Sequence, residues 1–228
     1  KRFKSGDVFQ TLAGIGNFMQ LDNLYINDGQ VNLFFKNNTE LRLENASMSV
    51  LGKQLVSSRR LTNIQRSVNE LFFKKGFFKM GDITASLTDV NFTGGASNQL
   101  HAGNIEVKNK NDLDINATGV VIQSMIIDDD IQHTLISGIR WNKADIRLSV
   151  FPDQNKKNTA GFTLKKIEGG NTTILAADRG KRISLFLQTL KADELSAIEG
   201  HKPKLTGLIA KGNSLDITDG FAQLKIKG

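Results

Sequence analysis

The stretch "LYINDGQVNL", residues 24–33, returns in altered form as "LDITDGFAQL", residues 215–224. Both read Leu-x-Ile-x-Asp-Gly-x-(Val or Ala)-x-Leu. Asp-Gly between alternating apolar residues signals a two-residue hairpin, because a type I′ turn needs positive φ at both central positions. A turn at Asp28-Gly29 sets Ile26 opposite Val31 and Leu24 opposite Leu33, and one at Asp219-Gly220 sets Ile217 opposite Ala222 and Leu215 opposite Leu224. A β-bulge at the glycine restores the same parity. On either reading each copy is a strand pair with one apolar side, and what that side covers is the functional question.

Working outward, apolar residues alternate in many short runs: Leu41, Leu43; Ile83, Ala85, Leu87; Ile105, Val107; Leu113, Ile115, Ala117; Ile146, Leu148, Val150; Ile183, Leu185, Leu187. A period of two over this many segments predicts a meander of half-buried strands, each with a polar outer face. Turn signals separate them at "TGGASN" (93–98), "FPDQNKKN" (151–158), "EGGN" (168–171) and "DRGK" (178–181). A turn at Gly169-Gly170 would set Leu164 opposite Leu175 and Phe162 opposite Ala177. The expected fold class is mainly β, an extended, curled antiparallel sheet forming either an open groove or a sandwich-like meander.

One segment breaks the rhythm. In "RRLTNIQRSVNELFFKK", 59–75, Leu61, Ile64, Val68, Leu71 and Phe72 fall at helical spacing, which predicts one amphipathic helix near 60–74. Arg59, Arg60, Arg66 and Lys74 line its polar face. Such a helix either caps one end of the sheet or lies on a membrane surface. A second, weaker helix or turn is read in "ADELSAIEG", stopped by Gly200.

At 228 residues the chain can bury a real core. We read one β-rich module over 1–228, with subdivision points near 58–80 and 125–138. The opening "KRFKSGDVFQ" lacks the apolar stretch of a signal peptide, and its abruptness points to a fragment of a longer protein. No run approaches the roughly 20 apolar residues that a spanning helix needs. Zero cysteines exclude a disulfide framework and a thiolate metal site. Five Asn-x-Ser/Thr triplets, at Asn37, Asn45, Asn91, Asn116 and Asn171, are read as chance in an Asn-rich chain.

Chemistry-bearing constellations are missing. His101, His133 and His201 are scattered, and "DDD" at 128–130 lacks the glycine and closing glutamate of a calcium loop. There is no nucleophile elbow, no phosphate-binding loop and no dinucleotide fingerprint. Glu106 and Asp114 read as solvated outer-face charges. We therefore expect no enzyme, no metal and no cofactor. The net charge of +7 permits an anionic partner. Nucleic acid is not expected, because the single Trp and single Tyr are isolated and the 14 Phe sit beside apolar stripes.

The segment "LKADELSAIEGHKPKLTGLIAKGNSLDITDGFAQLKIKG", 190–228, resembles the carboxy-terminal style of AsmA-like and TamB-like envelope proteins, through "KLTGLIAKG" followed by the Asp-Gly phrase. "LDNLYINDGQVNLFFKNNTELRLENASMSV" is similar to the same family, and "ITASLTDVNFTGG" echoes it. "LHAGNIEVKNKNDLDINATGVVI" also resembles the repeats of lipopolysaccharide-transport jelly rolls. The resemblance implies a curled sheet, open along one side, whose apolar concave face carries lipid acyl chains between membranes of the bacterial envelope, in the periplasm. Carried over residue by residue, Leu24, Ile26, Val31 and Leu33, with Leu215, Ile217, Ala222 and Leu224, would line the groove. The implied partners are lipid acyl chains or lipopolysaccharide, with membrane-surface contact through the helix at 59–75.

An apolar inner face has two physical fates: a second layer covers it, or it stays open as a groove. The competing expectation is thus a structural or adhesin-type β-domain with a closed core, binding protein or polysaccharide at the envelope. Polysaccharide recognition favours aromatic platforms, and Trp141 alone makes a poor one.

Overall fold

The computed structural model describes residues 22–34, 39–52, 66–95, 98–109, 113–127, 133–149, 161–178, 181–197, 204–219 and 222–227. Within these the chain is almost entirely strand: β1 (Asn23–Phe34), β2 (Glu40–Leu51), β3 (Val68–Met80), β4 (Ile83–Thr93), β5 (Gln99–Asn109), β6 (Leu113–Ile127), β7 (His133–Trp141), β8 (Lys143–Ser149), β9 (Gly161–Asp178), β10 (Lys181–Ala197), β11 (Lys204–Thr206), β12 (Ile209–Asp219) and β13 (Ala222–Lys227). All belong to one sheet. Its order runs β1 to β7 in sequence, then β9, β10, β12 and β13. β7 and β8, separated by Asn142, share one position between β6 and β9, while β11 adds to β10. Neighbours are antiparallel except β9, which runs parallel to β7 and β8.

The alternation read from the sequence becomes a shared face, since cross-strand partners project to the same side of a sheet. Leu43, Phe73, Val90, Ala102, Val120, Ile122 and Ala144 belong to one buried apolar cluster. Polar and charged residues such as Arg42, Lys75, Glu106 and Arg147 alternate with this inner set and form the outer face.

The strands are not uniform. Asn45 of β2 and Lys74 of β3 face each other without a ladder pairing, and so do Lys74 and Asp89, Asp89 and Gly103, and Gly103 and Gly119. The row continues through Asn142, the Asn171/Gln188 pair and Asn213, and it reaches β1 at Asp28. Asp28, Asn45, Asp89 and Gly119 have positive φ, a conformation that Asn, Asp and Gly tolerate best. Bulges bend a strand and raise its twist. Aligned edge to edge, these bends add up to a crease across the sheet. Ala46 and Val90, beside the crease on the inner side, are both 0% exposed. A shorter second crease runs Gln123, Gly138, Lys166, Asp193 and Gly207.

Each crease also writes a three-residue step into the inner pattern. Leu43/Ala46, Phe73/Gly76, Leu87/Val90, Ala102/Ile105, Ala117/Val120 and Ile122/Met125 are inner pairs three apart across a bulge.

Several sequence expectations are corrected. β1 runs unbroken through Asp28-Gly29, so this site is a bulge, with the Asp28 amide donating to Ser47 Oγ at 3.3 Å, and not a hairpin. β9 likewise runs through Gly169-Gly170, and Leu164 and Leu175 pair with Leu195 and Ser184 of β10. The predicted helix near 60–74 is not supported. Residues 53–65 lie outside the described set; Arg66 and Ser67 have helical backbone, but strand β3 begins at Val68. Pairing with β2 on one side and β4 on the other satisfies the backbone of Val68–Met80, and that outweighs the helical spacing. A membrane-surface helix over 68–75 is thereby removed. Residues 192–197 of the second expected helix are strand within β10. The turns at 93–98 and 178–181 do join consecutive strands. "FPDQNKKN", Asp128–Asp130, Val150 and His201 lie outside the described residues.

Candidate functional site: an apolar sheet face

The register assembles the inner face into rows crossing the sheet. One row starts at Leu33 of β1 and passes through Leu41, Phe78, Ala85, Val107 and Ile115. It continues through Ile146, Ile174, Leu185 and Leu215 to Ile226 of β13. Every member is apolar, from one edge of the sheet to the other. At about 4.8 Å per strand, ten intervals give an arc of about 48 Å. A second row links Ile26 to Met48, Leu71, Phe92, Leu100, Ile122 and Ile139.

The expected site residues fall at opposite ends of this face. Leu24, Ile26, Val31 and Leu33 pair with Val50, Met48, Leu43 and Leu41, which places all four on the inner side of β1. The bulge at Asp28 achieves this by inserting one residue between Ile26 and Val31. Leu215, Ile217 and Leu224 share the inner side at the β12–β13 edge, but their register differs from that expected. Ile217 faces Leu224, Leu215 faces Ile226, and Ala222 pairs with Asp219. The connection therefore centres one residue later than Asp219-Gly220. The two quartets do not touch. The strands between them supply the middle of the face, including Phe73, Phe92, Trp141 and Ile167, which the sequence reading left out.

Exposure is graded along the face. The middle, at Ala46, Val90 and Val120, is buried, while Leu224 and Ile226 are 53% and 51% exposed. Ile183 and Leu148 are also open to solvent. The inner side thus has a buried middle and accessible apolar margins at both edges, at Leu24 and Leu33 of β1 and along β12 and β13.

The Trp141 indole N–H donates to Thr172 Oγ1 at 3.0 Å, and the Thr172 hydroxyl donates to the Gly170 carbonyl. On the outer face, His133 Nε2 lies 3.1 Å from Thr163 Oγ1, and His101 stands on β5 between Asn91 and Val121.

The outer face carries charges of both signs, paired at Lys191–Glu168 (3.2 Å), Lys165–Glu194 (3.9 Å) and Arg42–Glu40. Glu106, hydrogen-bonded to Lys108, raises the lysine's pKa above its ordinary value. The pair is solvent-exposed and adds little to stability. A shallow depression of about 540 Å³ between β2, β3 and β4 is lined by Glu40, Arg42, Glu44, Lys75 and Lys79. Its mixed charges give no convergent chemistry. Among the described residues no three His, Cys, Asp or Glu side chains converge on a point, and no helix is long and apolar enough to cross a membrane. No protein-family model matches the chain, and no curated protein matches it.

Proposed function

We propose that the protein is a non-catalytic carrier or assembly module of the bacterial cell envelope, which holds lipid acyl chains, of phospholipid or lipopolysaccharide, on its concave sheet face. The observation that carries this reading is the unbroken apolar row from Leu33 to Ile226, open at its β12–β13 end. Its arc of about 48 Å exceeds the ~30 Å hydrocarbon core of a bilayer. An acyl chain laid along it exchanges water contact for apolar contact at about 25 cal/mol per Å². The face needs no catalytic group for that task.

A second reading, a structural β-domain with a closed core, is favoured by the complete burial of Ala46 and Val90. The test is native mass spectrometry of detergent-free protein, combined with uptake of a fluorescent fatty acid. A carrier co-purifies with phospholipid or takes up the probe, and Val31→Asp and Ile217→Lys lose uptake while keeping the far-ultraviolet dichroism of the parent. Absence of lipid and of uptake, with both variants unfolded, establishes the closed domain instead.

A further inference from the structure

The two ends of the sheet differ. β13 is six residues long and reads Ala-Gln-Leu-Lys-Ile-Lys. Lysines in the sequence of an edge strand disfavour its pairing with another strand. β1 is twelve residues long, contains no lysine or arginine, and among the described residues pairs only with β2. Its inner side chains Leu24 and Leu33 stay 37% and 38% exposed. Asn27 and Gln30, on either side of the bulge, are exposed and uncharged.

β1 is also self-complementary. Leu24, Ile26, Val31 and Leu33 are spaced symmetrically about the Asp28-Gly29 step, which is the symmetry that imitates a hairpin. Because β1 does not fold back on itself, that symmetry goes unused among the described residues. A two-fold axis through Asp28-Gly29, perpendicular to the sheet, uses it. Leu24 then faces Leu33 of the second copy, and Ile26 faces Val31 of the second copy, inner side to inner side. Bulge meets bulge, as Lys74 meets Asp89 and Gly103 meets Gly119 inside the sheet.

We propose that the protein is a homodimer in which two β1 strands pair antiparallel about Asp28-Gly29, joining two apolar faces into one continuous trough. The isologous contact closes on itself. The dimer stands whether or not the trough carries lipid.

The chain has no cysteine, so engineered thiols are unambiguous. In this register residue 27 faces residue 30 of the second copy. It lies three residues, about 10 Å, from its own counterpart, beyond disulfide reach. Mixing Asn27→Cys with Gln30→Cys protein gives a cross-linked dimer under mild oxidation, whereas each variant alone gives none. The parent chain sediments at twice 25.1 kDa. The Asn27→Lys/Gln30→Lys double variant, which opposes lysine to lysine twice, dimerises roughly tenfold more weakly with unchanged circular dichroism. A parent monomeric at all accessible concentrations overturns the proposal, as does a ladder of trimers and longer species. Cross-linking by Asn27→Cys alone overturns the register.

Discussion

Trp141 lies across the backbone of Gly169, one strand over, so closely that a methyl group on Gly169 would overlap the indole ring. From that position its ring N–H reaches Thr172, which is 0% exposed. The pair straddles the crease. The chain's only tryptophan therefore has its apolar body in the inner face and its polar atom satisfied within it, as a buried indole requires.

Gly169→Ala is expected to cost about 1–3 kcal/mol, the range for overpacking a filled site. Urea denaturation followed by indole emission checks this, with a lower midpoint and a red-shifted folded spectrum. Trp141→Phe keeps most of the packing and removes one hydrogen bond, so its expected cost is nearer 1 kcal/mol. A Gly169→Ala variant as stable as the parent would show that the ring moves aside freely.

At the creases, side chains cover the glycines opposite them: Asn142 over Gly119, Gln123 over Gly138 and Asp193 over Gly207. These glycines also have positive φ. Gly119→Ala meets both obstacles and should lose about 1–2 kcal/mol from the left-handed backbone alone. Asp89→Val, a branched residue at φ 49°, should lose at least as much, while Asp89→Gly stays within about 0.5 kcal/mol of the parent. Equilibrium unfolding of the three variants is the measurement.

The creases also explain which parts of the fold were legible. The runs Ile83-Ala85-Leu87 and Leu113-Ile115-Ala117 alternate cleanly, and they lie on the inner face where period two puts them. Asp28-Gly29 was ambiguous, because a type I′ turn and a bulge make the same demand for positive φ. What decides between them is whether a neighbour covers the whole length, and β2 does. Spacing misled at Val68–Phe72 for a related reason. A bulged strand places inner residues three apart, and the register shift at Ser49/Val50 leaves Val68 and Leu71 of β3 both on the inner side, spaced like a helix turn. The candidate site was legible at its ends, where the repeated phrase sits. Its middle was not, because Phe73, Phe92 and Trp141 share no recurring motif and join the face only through long-range register.

Charge introduced on the inner face should have opposite consequences at its two extremes. Val90→Asp buries a carboxylate at 0% exposure inside the apolar cluster, a cost of several kcal/mol, so the protein should unfold or lose most of its denaturation midpoint. Leu224→Asp sits at 53% exposure, where water reaches the carboxylate. It should retain the parental circular dichroism and midpoint while reducing fatty-acid uptake. Equal destabilisation by the two substitutions would mean that the β13 margin is ordinary core.

The parallel seam between β8 and β9 has a kinetic consequence. Everywhere else along the main strand order each new strand docks on the one made just before it or shortly before it, so the sheet can lengthen by successive short loop closures, which are fast. At the seam, His133 pairs with Gly161 and Ser149 with Ala177. No tight turn can deliver that geometry, because every pair across the seam is 28 residues apart in sequence. The nucleus is thus free to form on either side of the seam, and joining the two halves is the step with the largest entropy to overcome.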